Sequence, residues 1–148
     1  MMTMTGAAWI TARICLVVMF PFSAAEKVWH WDNAVEQTKS APGPAHLAIP
    51  LLVLATIVEF VTPFMIVLGW WDRPAALALA GFCVVTAVLY HPFWKGPDLF
   101  SPSADSKARA HFWEFVKNFG LVGGLLLVVF AGTLSAPGAD WWTWLWSR

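Results

Sequence analysis

AHLAIPLLVLATIVEFVTPFMIVLGW, residues 45–70, holds a single carboxylate, Glu59, in an otherwise apolar run that opens on His46. As a helix rising ~1.5 Å per residue, such a run is long enough to cross a ~30 Å hydrocarbon core. Three further runs of similar character lie at about Ala7–Val28, Pro74–Trp94 and Ala110–Leu134. The expected fold class is therefore all-α, an integral membrane four-helix bundle. One domain covers residues 1–148, with spans at about 7–28, 45–70, 74–94 and 110–134. The tail 135–148 is too short to span. Its tryptophans, Trp141, Trp142, Trp144 and Trp146, mark it as a short interfacial segment lying on the membrane surface.

Composition supports this assignment. The chain is 59% hydrophobic and 12% charged, against about 25% charged in soluble domains. Its formal net charge is zero and it has no basic block, so nothing in it supplies the phosphate contacts of a nucleic-acid partner. Most of the tryptophans fall near span ends, among them Trp29, Trp31, Trp70, Trp71 and Trp94, where an amphipathic indole settles at the headgroup level. Ile14–Phe22 followed by Ser23-Ala24-Ala25 has the look of a cleavable signal. Against that, no positive charge precedes Arg13, and the apolar pattern continues through Val28, Trp29 and Trp31, so a retained helix is expected.

Turn residues set the topology. Pro42-Gly43-Pro44 closes the first loop, Trp71-Asp72-Arg73-Pro74 makes a tight hairpin, and Lys95–Ala108 forms a second long loop. Both termini then share a face with the Asp72–Arg73 turn, and the two long loops share the other. Lys39, Lys95, Lys107 and Arg109 on the long-loop face outnumber Arg73 and Arg148 opposite, which leans the long loops toward the cytoplasm. Gly120 and Gly124 form a G-x-x-x-G step that allows close helix approach in lipid.

The chemistry should lie with the charges inside the spans, because an ionised group at bilayer depth costs roughly 2.5–3.5 kcal/mol or more. Glu59 falls near the middle of the second span, with Arg13 about four residues nearer the terminal face, a rise of ~6 Å that an arginine can cover. An Arg13–Glu59 intramembrane ion pair is the reading these positions suggest, with a proton-relay role for Glu59 as its alternative. A second group gathers at the long-loop mouth: Lys27, His30, His91, His111, Glu114, Lys117 and Asn118. His111, Glu114 and Asn118 follow i, i+3, i+7 spacing on one helical stripe, and Glu114 precedes Lys117 in the favourable order for an intrahelical pair.

Haem would need facing histidines at mid-bundle, and these lie at the rim. His111 and Glu114 supply two ligands only, so no metal site is expected. Cys15 and Cys83 form no C-x-x-C, so no redox-active pair is read either. A quinone-like headgroup fits better, since it needs a donor or two beside an apolar slot open to lipid. The plainer alternative is that Lys27, Glu114 and Lys117 neutralise one another and the histidines sit among wet headgroups.

The order of these pieces resembles the DoxX family of small four-helix bacterial membrane proteins. The resemblance rests on Arg13, Phe20 and Lys27, then Glu59, Gly69 and Arg73 within EFVTPFMIVLGWWDR, then Tyr90-His91-Pro92-Phe93-Trp94. It ends on Phe115-Val116-Lys117-Asn118 followed by Gly123-Gly124-Leu125-Leu126, and covers roughly residues 10–133. The chain departs from the family pattern at Ala24 and Pro63.

The resemblance implies a multi-pass protein of the bacterial cytoplasmic (inner) membrane. It further implies a membrane subunit or docking partner of a quinone-linked oxidoreductase system, related to the membrane subunit of thiosulfate:quinone oxidoreductase. The expected partners are the lipid bilayer and a protein of a redox complex. The expected ligand is a quinone, with no covalently bound cofactor. The alternatives are a directly catalytic, quinone-reducing subunit acting on a small sulfur compound, and a purely structural membrane scaffold. Lys27, His91, His111, Glu114, Lys117 and Asn118 are the candidate ligand contacts.

Overall fold

A computed structural model describes residues 4–95, 106–130 and Trp146. Among these the chain is helical with no strand. The first span is two helices, α1 (Met4–Val17) and α2 (Met19–Trp29), meeting at Val18. Pro21 accounts for the joint: it has no N–H to donate to Val17 four residues back, and its ring crowds that carbonyl. Val18 keeps helical angles and its own bond to the Ile14 carbonyl, so the span bends without unravelling.

The second span is α4 (Ala48–Leu68), entered through a 3-10 turn at Ala45–Leu47. The third is α5 (Asp72–Tyr90) and the fourth α6 (Ser106–Phe130). Among the described residues, four helical stretches are long and apolar enough to cross a membrane. The fourth starts somewhat earlier than expected. Its expected last residues, 131–134, lie outside the described part, as do most of the second long loop and all of the tail except Trp146.

Between α2 and α4 lies a helix that the first loop was not expected to contain, α3 (Trp31–Ser40). Its apolar stripe is short: Ala34 is buried, and Trp31, Val35 and Thr38 are half-buried on the same side, while Asp32, Asn33, Glu36, Gln37 and Lys39 are exposed. It packs against α4.

Small residues build the core. Ala75, Ala76, Leu79, Ala80, Cys83 and Ala87 make one buried face of α5, which packs against α4 and α6. In lipid, where apolar transfer does not drive helices together, that close approach is the attraction. Of the two glycines in the G-x-x-x-G step, only Gly124 is used this way: a Cβ there would stand 2.7 Å from Leu16 Cδ1 of α1, whereas one at Gly120 would meet nothing. Large apolar side chains such as Phe22, Leu68 and Leu127 point outward, as lipid-facing residues do. Trp29, Trp70, Trp71, Trp94 and Trp113 are exposed near the span ends.

The faces sort as expected. At the terminal face, the ring of Trp146 meets Trp71 of the α4–α5 hairpin edge-on at 5.4 Å. At the opposite face, Phe93 meets Phe112 and Phe115 edge-on at 5.3 and 5.1 Å, clasping the segment after α5 to the first half of α6.

Candidate functional site

The charges inside the bundle form two clusters at different depths. The first closes the terminal end. Helix α4 ends where Gly69 takes φ +70°, and the Gly69 and Trp70 amides turn back to the Ile66 and Met65 carbonyls. This αL closure is what glycine permits cheaply. Arg13 of α1 reaches into this turn. Its Nη1 donates to the Ile66 carbonyl at 2.6 Å, and its Nη2 to Asp72 Oδ2, in the first turn of α5, at 2.5 Å. One guanidinium thus ties three helices together. The Trp9 ring lies 5.0 Å from its Cζ, while Nε finds no acceptor among the described residues.

The Arg13–Glu59 bridge expected from the sequence is therefore not formed. The error is one of register. Ser23 touches Glu59, and Arg13 touches the carbonyl of Ile66 and Asp72, so in the antiparallel pair Arg13 sits ten residues of α1–α2 nearer the terminal face than the level of Glu59. At ~1.5 Å per residue that is ~15 Å, beyond the reach of any side chain.

Glu59 belongs to the second cluster. It is 3% exposed and lies near the middle of α4. Lys27 Nζ donates to Ser23 Oγ at 2.7 Å and to Glu59 Oε1 at 3.0 Å, and Ser23 Oγ donates to the same Oε1 at 3.0 Å. Glu59 Oε2 also lies 2.8 Å from Nζ but accepts no directed hydrogen bond, so that contact is Coulombic. Lys27 lies one turn nearer the long-loop mouth than Ser23. Its side chain leans back toward the start of its own helix, as helical side chains do, and so reaches the carboxylate. Four residues past Glu59, Pro63 has no N–H to return to the Glu59 carbonyl, which adds a backbone acceptor at this depth.

This triad forms part of the wall of a cavity of about 880 Å³ that extends to the long-loop mouth. The volume falls within the roughly 300–1,000 Å³ of small-molecule sites. Helix α6 packs against α1, and α2 instead leans on α3 and α4. Phe20, Leu52, Val58 and Phe82 supply apolar wall, and Asn33 and Gln37 of α3 border the opening.

The mouth candidates divide. Lys27, His30, His91, Glu114 and Asn118 all face the cavity, and Ser23 and Glu59 join them. His111 does not line it but meets His91 Nδ1 to Nδ1 at 3.3 Å. The ring centroids are 5.6 Å apart, which is that gap plus the two ring radii, so the imidazoles point end to end with one donating to the other. Lys117 pairs with Glu114 at 2.7 Å on the outer surface, and Asn118 Nδ2 donates to the Glu114 carbonyl at 2.9 Å. Lys117 is thus a surface partner of a wall residue. Ser23 was missed, although its place four before Lys27 puts both on one face of α2.

Comparison with known proteins gives a family and no solved relative. The family model for DoxX matches residues 8–92, a stretch that holds Arg13, Ser23, Lys27, Glu59 and Asp72. The inner membrane protein YphA of Escherichia coli (strain K12) is 29% identical over 132 residues, covering 88% of this chain and 84% of YphA. The inner membrane protein YqjF of the same organism is 29% identical over 130 residues, covering 88% of this chain and 85% of YqjF. No solved structure matches.

Proposed function

The chain belongs to the DoxX family, and from that premise we propose that it is the quinone-contacting membrane component of an oxidoreductase system, binding a quinone headgroup in its cavity and docking a redox partner at the long-loop face. It is a multi-pass protein with four candidate spans, and its relatives carry the name inner membrane protein, which supports placement in a bacterial inner membrane.

The observation that carries the ligand reading is the Lys27–Ser23–Glu59 triad in the wall of a mostly apolar cavity. A quinone needs a donor for its carbonyl oxygen and apolar wall for its ring. An ammonium has three N–H groups, and two of those on Lys27 are taken by Ser23 and Glu59. The third suits a carbonyl.

The partner reading draws on the polar residues that border the mouth, Asn33 and Gln37 of α3 and Glu114 of α6. The directly catalytic alternative gains no support from the cysteines. Cys15 is exposed on α1 and Cys83 is buried on α5, and both are free thiols.

Titration of the protein in nanodiscs with a lipid-tailed benzoquinone, read by quenching of its tryptophans, tests the ligand. Saturable binding is expected, weakened by at least about tenfold in Lys27→Met through loss of a charge-assisted hydrogen bond. Binding no greater than partition into empty nanodiscs, or binding indifferent to Lys27→Met, would overturn the site. Mild-detergent purification after cross-linking tests the partner. A chain that always elutes alone argues for the scaffold reading.

A further inference from the structure

We propose that the cavity selects an uncharged headgroup bearing a hydrogen-bond acceptor, and that Glu59 enforces this selection by cancelling the charge of Lys27. The inference rests on the quinone reading above and narrows it to a class of ligand.

Two observations set the selection. The first is what the triad shows to the cavity. The Glu59 side chain is 4% exposed and that of Lys27 27%, so the ammonium is the accessible group and the carboxylate is held behind it. With two N–H groups committed, the remaining donor meets whatever enters. A carbonyl or ether oxygen accepts it, and a cation meets like charge.

The second is the charge of the wall. Lys27 and Lys39 stand against Glu26, Glu59 and Glu114, with Lys117 balancing Glu114 from outside, and His30 and His91, which also face the cavity, add no charge as neutral imidazoles. With those imidazoles neutral, no net positive charge remains to repay an anion for leaving water, and burying an ion without such repayment is strongly unfavourable. A small sulfur oxyanion is therefore a poor fit for this cavity.

Glu59 acts through Lys27 and is a positioning residue. Without its charge the same ammonium would be uncompensated and would attract the anions now refused.

A matched pair of probes tests this: a 2-hydroxy-3-alkyl-1,4-naphthoquinone, which ionises, and its O-methyl ether, which cannot. Each is titrated against the full-length protein in nanodiscs and corrected for partition into empty ones. In the wild type, affinity for the hydroxy compound should fall by at least about tenfold as pH rises through its ionisation, because the anion must be desolvated. The ether should bind throughout with little change. In Glu59→Gln the anion should gain on the ether.

Equal wild-type binding of anion and ether overturns the selection and leaves the quinone reading standing. An anion-to-ether ratio unmoved by Glu59→Gln removes Glu59 from it. If neither probe binds at any pH, the quinone reading falls and the selection with it. Should Glu59→Gln fail to fold, the wild-type pH series decides the selection, and Glu59→Asp, whose shorter side chain draws the carboxylate away from Lys27, decides the role of Glu59 by the same anion-to-ether ratio.

Discussion

Asp72→Ala is the sharpest test of how the terminal end is held. The change leaves the Arg13 guanidinium, whose side chain is 10% exposed, without its counter-ion. Removing one partner of a buried pair costs about 3–5 kcal/mol, and an unpaired ion at bilayer depth roughly 2.5–3.5 kcal/mol. Arg13 lies level with the α4–α5 turn, near the membrane edge, and keeps its bond to the Ile66 carbonyl. Both facts favour the low end, so the expected loss is about 3 kcal/mol.

Arg13→Met should cost less, about 1–2 kcal/mol, although it also forfeits that carbonyl bond. The reason is that Asp72, at 19% side-chain exposure, stays in the first turn of α5, where the helix N-terminus favours a carboxylate by about 0.3–1 kcal/mol. The double variant should then lose about 2 kcal/mol less than the sum of the single losses. Unfolding in mixed micelles of rising SDS fraction, followed by tryptophan fluorescence, measures all three. An Asp72→Ala loss below about 1 kcal/mol, or simple additivity of the pair, would refute the clip.

Other substitutions should separate by mechanism in the same assay. Gly124→Ala should cost about 1 kcal/mol by pushing on Leu16, while Gly120→Ala, which meets open space, should be neutral or gain a few tenths from helix propensity; equal effects would place the close approach elsewhere. Gly69→Ala should cost about 1–2 kcal/mol for its left-handed backbone, although its Cβ would meet Arg13 Nη1 at an ordinary 3.7 Å. Lys117→Ala should change stability by no more than about 0.5 kcal/mol, because its pair with Glu114 is exposed; a larger loss would mean it reaches the cavity. The charge swap Arg13→Glu with Glu59→Arg should not rescue either single variant in a yield assay, since the two residues lie at different depths.

The four spans, the turn that brings the termini to one face and several of the polar wall residues (Lys27, His30, His91, Glu114 and Asn118) are legible in the amino-acid sequence. They follow from run length, from Pro and Gly punctuation and from the cost of charge in lipid. What fails is register. An apolar run such as 7–28 says that a helix crosses, and leaves open how far it slides along its neighbour. An offset of ten residues in place of the expected four sets Arg13 against Asp72 and not Glu59. The sequence places Lys27 at the rim, where its backbone lies, while its long side chain reaches back to Glu59. Helix α3 escaped notice because its stripe, Trp31, Ala34, Val35 and Thr38, spans only two turns among charged residues. His91 and His111 come together across the second long loop through the packing of α5 on α6, which neither local pattern encodes.

Pro21 has a mechanical consequence. Below the bend, α1 is pinned to the bundle by Arg13 and by Leu16 against Gly124. Above it, α2 is held at Glu59 through Ser23 and Lys27. The two halves of one span thus answer to different fasteners. A change at one fastener should loosen its own half of the span first, because the other half keeps contacts of its own. One span thus carries two separate tethers to the bundle, one on each side of its bend.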